Sequence, residues 1–222
     1  MLFESSKSKA EILLKQFSSV FTKEDTSKPL PPLHDLYRSI ENISITEQGV
    51  LKLLQGMNVN KASGPDNIPN KILKTCAVEI APFLTHIFQL SLTSGILPSD
   101  WKIANVTPIY NKGDKYTASN YRPVSLTSVC CKLLEHIVCR HILQHLEKYK
   151  ILSDLQHGFR SGHSCESQLI ITMSDIFEAF NDKHQVDMII LDFSKAFDTV
   201  PHQKLLHKLK NYGIDGSVNK WI

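Results

Sequence analysis

The sequence predicts an α+β fold with a helix-rich N-terminal part, in which helices outweigh strands. Apolar residues recur at helical spacing in several long stretches, whereas only short stretches have the pattern of strands. With 222 residues, of which 42% are hydrophobic and 21% charged, the chain can bury a sizeable core. The formal net charge of +3 is too small to establish a polyanionic partner.

The predicted elements follow one another along the chain. Ser44 or Thr46 can cap the second helix, and Gly95 and Pro98 stop the third. A proline-containing stretch at 22–33 predicts an extended linker. We expect helices over 9–21, 46–57, 70–93, 128–149 and 166–181, and a strand over 104–110.

A short apolar run at 186–191 predicts a buried strand, and Asp192 stands at its carboxyl end. Folds with parallel strands place ligand-binding groups at such ends, and a carboxylate there can hold a divalent metal. Alternatively, Asp192 is the N-cap of a turn at 194–199.

A basic, glycine-containing turn separates two candidate strands at 111–121. Its tip can present Lys112 and Arg122 to phosphate, with arginine as a bidentate fork and lysine as a point charge. Taken alone, these residues equally fit a solvated turn.

Histidines and glycines mark two further candidate sites. His141 and His145 lie one helical turn apart in the predicted helix at 128–149, a spacing that permits a shared metal, although packed or surface histidines are the alternative. The loop at 156–165 has glycines that permit close approach to a ligand and an arginine, Arg160, that can contact phosphate. Its alternative is a turn that leads into a helix capped by Ser164.

The N-terminal residues have no apolar core typical of a signal peptide, and no segment has the length and hydrophobicity of a membrane span. We therefore expect an intracellular protein without membrane contact. Five cysteines without a C-x-x-C pair predict reduced side chains, most of them in the core.

Four segments, in this order, resemble the successive motifs of reverse transcriptases from non-LTR retrotransposons, the LINE-type elements, and of their jockey-like group in particular. The segments are 61–66, 120–126, 156–160 and 192–198. Four ordered motifs are far more specific than any one of them. The resemblance implies a right-handed polymerase fold, with an extension over 1–45, a fingers-like region over 46–185 and the first part of a palm over 186–222.

The resemblance also implies roles for single residues. Asp192 matches the first metal-binding aspartate of the family, assisted by the carbonyl of Phe193. Phe197 matches the aromatic residue beneath the incoming sugar. Arg122 matches the arginine that meets the nucleotide triphosphate, with Lys112 as its basic partner. The residues that match the motif along template and primer are Gln156, Gly158, Phe159 and Arg160.

The implied reaction is nucleotidyl transfer onto a DNA primer along an RNA template, with deoxynucleoside triphosphates as substrates and two Mg²⁺ ions. Asp192 is one of several carboxylates that such a site needs. The aspartate pair of the family falls beyond Ile222, so we expect a truncated chain with an incomplete site and no activity of its own. Asn111, where relatives carry lysine, lowers the positive charge of the hairpin tip.

Two alternatives stay open at this point. The first is a catalytically inactive nucleic-acid-binding remnant, which predicts salt-dependent RNA binding without nucleotide incorporation. The second is an aspartate-dependent phosphotransferase of the haloacid dehalogenase type, which fits less well because Ser194 stands where that family needs a second aspartate. Analogy with elements that copy RNA at the chromosome implies a nuclear site, and protein partners are not predicted.

Overall fold

The structure, a computed structural model, describes residues 5–25, 27–33 and 37–222. Residues 1–4 and 34–36 of the predicted extension, and residue 26 of the predicted linker, lie outside this part. The helices and the small sheet together confirm an α+β mixture, and none of the described helices could cross a membrane. The elements are α1 (Ser6–Ser18), α2 (Glu47–Gln55), α3 (Asn70–Thr75), α4 (Ala77–Ser94), β1 (Ala104–Tyr110), β2 (Tyr121–Thr127), α5 (Val129–Lys148), α6 (Cys165–Asn181), α7 (His202–Asn211) and α8 (Gly216–Trp221).

Side-chain caps fix where α2 and α6 begin. Thr46, rather than Ser44, caps α2, because its Oγ1 accepts a hydrogen bond from the Gly49 backbone N–H at 3.2 Å. Ser164 and Ser167 form a reciprocal capping box at α6, with N–H to Oγ distances of 2.9 and 3.1 Å. The sequence therefore predicted these two starts from residues that act locally.

The stretch predicted as one helix over 70–93 is two helices, α3 and α4. Cys76 lies between them with φ −98° and ψ 28°, outside the helical range. The apolar spacing continues across this break, so periodicity could not reveal it. Gly95 ends α4 in the left-handed conformation, at φ +66°, as predicted from its position.

The core is built mainly by α2, α4, α5 and α8, which are far apart along the chain. Leu54, Phe88 and Leu134 are fully buried at its centre. The C-terminal Trp221 enters the same core, where its Nε1–H donates to Ser91 Oγ at 3.1 Å. Ser91 Oγ–H in turn donates to the Ile96 carbonyl at 2.7 Å, so the buried hydroxyl is satisfied.

The sheet of the described residues consists of β1 and β2, which pair antiparallel from Ala104 opposite Thr127 to Tyr110 opposite Tyr121. The predicted strand at 104–110 is confirmed. Gly64, in the loop before α3, lies against the end of β2, and a Cβ there would come within 2.5 Å of the Thr127 carbonyl oxygen. Glycine at this position therefore lets the 61–66 loop dock on the junction between β2 and α5.

The prediction of a buried strand at 186–191 was wrong. The segment has no regular secondary structure and pairs with no strand of the described residues, and Ile189, Ile190 and Leu191 are 84%, 84% and 82% exposed. An apolar run becomes a strand only where a neighbour supplies hydrogen bonds, and β1 and β2 pair with each other. The predicted turn at 194–199 is present, but no hydrogen bond joins Asp192 to it among the described groups, so Asp192 is not its cap.

The two histidines of α5, His141 and His145, make hydrogen bonds within the fold and do not form a shared metal site with the described residues. His141 Nδ1–H donates to the Ile137 carbonyl at 2.8 Å, and His145, 6% exposed, donates from Nε2–H to the Tyr212 carbonyl at 2.7 Å. No group of three His, Cys, Asp or Glu side chains within the described ranges could hold a metal ion.

The described cysteines are all free, and two of the five lie in the core. Burial raises the pKa of the Cys130 thiol to about 11 and that of Cys131 to about 12, so both stay protonated near neutral pH. Cys139 and Cys165 are exposed and Cys76 is half-buried, so the expectation that most cysteines lie in the core holds only for the first two.

Backbone hydrogen bonds and a close backbone contact hold the C-terminal helices to the N-terminal half. Ile40 N–H donates to the Gly213 carbonyl at 2.7 Å, and Tyr37 N–H donates to the Asn211 carbonyl at 3.2 Å. Gly213 has φ +78°, and a Cβ there would collide with the carbonyl oxygen of Arg38. Only glycine combines this backbone conformation with such a close approach.

We therefore predict that Gly213→Ala destabilises the fold by about 2–5 kcal/mol, through left-handed strain and steric overlap with a backbone that cannot move aside. Gly216→Ala is the matched control, because Gly216 has φ +58° but open space around its Cβ position. Strain alone costs about 1–2 kcal/mol there. Urea unfolding followed by circular dichroism measures both, and equal destabilisation would contradict the assigned overlap.

Candidate functional site

The loop over 153–164 is held in shape by Arg160 at its centre. The Arg160 side chain is only 7% exposed and forms a bidentate pair with Glu147 at the end of α5, at 2.9 Å from Nε and 2.8 Å from Nη2. Its Nη1 donates to the Ser153 carbonyl at 2.7 Å. A planar fork with five donors can satisfy a carboxylate and a loop carbonyl at once.

The polar contacts of Arg160 in the described chain are with the chain itself. The sequence predicted a contact with template, primer or phosphate, whereas the structure places the guanidinium within the loop and on α5. Hydrogen bonding to Arg160, with its positive charge, holds the pKa of Glu147 below its ordinary value. Glu147 was missed from the sequence because it lies 13 residues from Arg160, outside any local motif.

The same loop presents Phe159 to solvent. Phe159 is 83% exposed and has φ +61°, a left-handed conformation that non-glycine residues seldom adopt. Gly158 before it has open space around its Cβ position, and Gln156 Nε2–H donates to the Gly158 carbonyl at 3.3 Å. The loop therefore offers an exposed aromatic face on a backbone that Arg160 and Gln156 hold in place.

Phe159 meets a residue from a distant motif. Its ring lies edge-to-face against that of Phe197, with centroids 6.0 Å apart and planes at 86°. Phe197 is itself 80% exposed. The structure thus brings together residues 38 positions apart, from the predicted template and primer motif and the predicted nucleotide motif.

Asp192 and Phe193 lie on the exposed segment that precedes the Phe197 turn. Phe193 is 81% exposed and Asp192 is likewise exposed. As a donor set for a metal, one carboxylate and one backbone carbonyl have the oxygen chemistry that Mg²⁺ prefers. They do not complete a site, since no group of three His, Cys, Asp or Glu side chains that could hold a metal ion includes Asp192 among the described residues.

The hairpin of β1 and β2 carries the predicted phosphate contacts at its tip. Asp114 organises the turn, because its carboxylate accepts from the Tyr116 N–H at 3.0 Å and its carbonyl accepts from Asn120 Nδ2 at 2.8 Å. Lys112 and Arg122 are exposed and form no ion pair with any described residue. Both cations are therefore available to a ligand, although the structure brings neither into hydrogen-bond contact with Asp192.

The Arg160 and Glu147 pair predicts a pH-dependent contribution to stability. Because the pKa of Glu147 is lowered in the folded chain, the stabilisation is present above the ordinary carboxyl pKa of 4.5 and is lost as the pH falls through the folded value. We expect Glu147→Gln to lower the melting temperature at pH 7, and this difference to shrink as the pH falls below 4.5. Glu178→Gln, at an exposed glutamate of α6, is the control, and a Glu147→Gln effect of the same size at every pH would contradict the ion pair.

Comparison with known proteins identifies the family. Residues 110–222 match the reverse transcriptase (RNA-dependent DNA polymerase) family. The chain is 30% identical, over 88% of its own length, to 21% of a probable RNA-directed DNA polymerase from transposon BS of Drosophila melanogaster. It is also 30% identical, over 75% of its length, to 18% of the RNA-directed DNA polymerase from mobile element jockey of the same species.

A third relative extends the comparison to another element. The chain is 30% identical, over 62% of its length, to 19% of a Pol polyprotein from the type-1 retrotransposable element R2 of Popillia japonica. The chain thus spans about a fifth of the length of these curated relatives. Since the family match covers more than half of the chain, and relatives from three non-LTR elements agree with it, this chain belongs to the reverse transcriptases of non-LTR retrotransposons.

Proposed function

We propose that this chain supplies the template-binding loop and part of the nucleotide site of an RNA-directed DNA polymerase that copies RNA from a DNA primer. The observation that carries the proposal is the contact between Phe159 and Phe197, two exposed rings from separate motifs with centroids 6.0 Å apart. A polymerase must hold a template base and an incoming nucleotide side by side. Two neighbouring aromatic faces suit that task.

On the template side, Phe159 provides a face on which a base can stack. Stacking of a base on an aromatic side chain stabilises single-stranded nucleic acid binding without requiring a particular base. Gln156 and Gly158 shape the backbone beside this ring, and Gly158 leaves room for a strand to approach. Arg160 acts here through its pair with Glu147, as a positioning residue for the loop.

On the nucleotide side, Lys112 and Arg122 are suited to the triphosphate. Arginine binds phosphate oxygens through a fork and lysine through a point charge, and both side chains are exposed. Phe193 and Phe197 would contact the sugar and base of the incoming deoxynucleotide. Their high exposure supports a role in ligand binding rather than in the core.

Divalent metal ions are general cofactors of this family, and we propose Mg²⁺ here. Asp192 and the carbonyl of Phe193 would contribute part of the ligand set. When bound, such ions assist nucleotidyl transfer by activating the primer hydroxyl and stabilising the leaving pyrophosphate. This chain's own residues would then orient the template through Phe159 and the triphosphate through Arg122.

The finer architecture belongs to the same proposal. We assign residues 46–185 to a fingers-like region and 186–222 to the first part of a palm, preceded by an extension over 1–45. Support comes from the order of the motifs and from the hairpin of β1 and β2, which carries the predicted phosphate contacts. The relatives' membership in mobile elements supports a nuclear site of action.

The stacking role of Phe159 predicts a loss of RNA affinity on its removal. Phe159→Ala should weaken binding of a primed RNA template about 5- to 150-fold, because base stacking on an aromatic ring contributes about 1–3 kcal/mol. Fluorescence anisotropy with labelled RNA measures this at constant salt. Phe159→Leu should lose most of the same affinity, since leucine keeps the apolar contact but not the aromatic face.

Leu155→Ala is the matched control, because Leu155 is 78% exposed in the same region and has no ring to stack. Its affinity should stay close to that of the wild type. If Phe159→Ala binds primed RNA as tightly as the wild type does, the template role of this loop is wrong.

A further inference from the structure

A basic cleft lies between α2 and α5, outside the four motifs. Its volume is about 500 Å³, and it is lined by the segment that enters α2, by α2 itself and by the middle of α5. Lys52 on α2 and Arg140 on α5 both line the cleft, as do His136 and His141. No carboxylate lines the cleft among the residues that the structure describes.

The Lys52 and Arg140 side chains of this cleft have no polar partner among the described residues. Lys52 and Arg140 are exposed and form neither an ion pair nor a side-chain hydrogen bond within residues 5–25, 27–33 and 37–222. Their neighbours on α5 differ in this respect, since Lys148 pairs with Glu41 at 2.7 Å and Glu147 pairs with Arg160. Cations in a cleft without a carboxylate favour an anionic ligand.

His141 adds no donor for such a ligand. Its Nδ1–H is engaged by the Ile137 carbonyl at 2.8 Å, an assignment that follows from the carbonyl being an acceptor only, and this leaves Nε2 as the acceptor of the ring. The charged donors that the cleft offers to an anion are therefore the Arg140 guanidinium and the Lys52 ammonium.

The cleft lies on the same face of α5 as the anchor of the Phe159 loop. Arg140 and Glu147 are seven residues apart, which is close to two full helical turns and about 10 Å along the helix axis. Glu147 holds Arg160 and, through it, the loop. A strand that crosses the Phe159 loop can therefore continue along this face of α5 toward the cleft.

From this placement we infer that the cleft between α2 and α5 binds a backbone phosphate of the RNA strand whose base stacks on Phe159. Arg140 binds the diester oxygens through its fork, and Lys52 neutralises the charge from α2. The inference rests on the proposed function, because it assumes that the strand runs over the Phe159 loop. It adds a second contact, independent of base identity, that fixes the path of the template along α5.

The test compares wild type with the double variant Lys52→Gln and Arg140→Gln, using a primed RNA template that fixes the register of the strand. We expect affinity to fall roughly tenfold, as for the loss of a charged hydrogen bond. The slope of log K against log salt should decrease by about 0.7, the contribution of one phosphate on a single strand. Both residues are exposed, so thermal unfolding should be unchanged.

A second measurement locates the phosphate. One neutral methylphosphonate linkage is moved along the template, and we expect a single position to weaken binding to wild type but not to the double variant. The double variant Arg38→Gln and Lys71→Gln is the control, since both residues are exposed and neither lines the cleft.

The outcomes separate this inference from the proposed function. If RNA binding depends on Phe159 but is equal in wild type and in the Lys52 and Arg140 double variant, the cleft does not bind the strand. If wild type does not bind primed RNA at all, both the proposed function and this inference are wrong.

Discussion

The fold depends on the close approach between Gly213 and the backbone of residues 37–40. This contact fixes the turn between α7 and α8 against the N-terminal half, and His145 on α5 secures the same turn through the Tyr212 carbonyl. From there α8 carries Trp221 into the core built by α2, α4 and α5. The exposed segment before α7, with Asp192 and Phe197, is therefore held at its C-terminal side by a buried anchor.

A second constraint, the ion pair between Arg160 and Glu147, acts on the loop over 153–164. The Arg160 and Glu147 pair ties the loop that carries Phe159 to the end of α5, and the first two turns of α5 contribute buried side chains to the same core. Two distant parts of the sequence thus meet in the contact between Phe159 and Phe197. The loop with Phe159 is tied to α5, and the turn with Phe197 is followed by α7 and α8.

Much of the local structure could be predicted from the sequence, because its causes are local. Thr46 and Ser164 cap helices through their own hydroxyls, and the strand at 104–110 has a clear boundary at each end. The prediction of a strand at 186–191 was wrong because strand formation does not depend on local causes alone. Strand formation needs a partner, and nothing within an apolar run tells whether the fold provides one.

In the candidate site, too, features with local causes could be predicted from the sequence and contacts between distant residues could not. Phe159 and Phe197 were identified from ordered motifs, yet neither motif contains the information that the two rings meet. Arg160 was assigned to ligand, and its partner Glu147 was missed, because a bidentate pair across 13 residues leaves no local signal. Family resemblance thus predicted candidate residues, and the structure shows the contacts that two of them make, Phe159 with Phe197 and Arg160 with Glu147.

The central claim is that the Phe159 loop and the Phe197 turn form one nucleotide-copying site. Its most direct test is the binding of a primed RNA with a chain-terminated primer, in Mg²⁺, as a function of the next deoxynucleoside triphosphate. The account predicts that the nucleotide complementary to the next template base strengthens RNA binding and that a mismatched one does not, with the difference abolished in Phe197→Ala. Equal binding with matched and mismatched nucleotides in the wild type would contradict it.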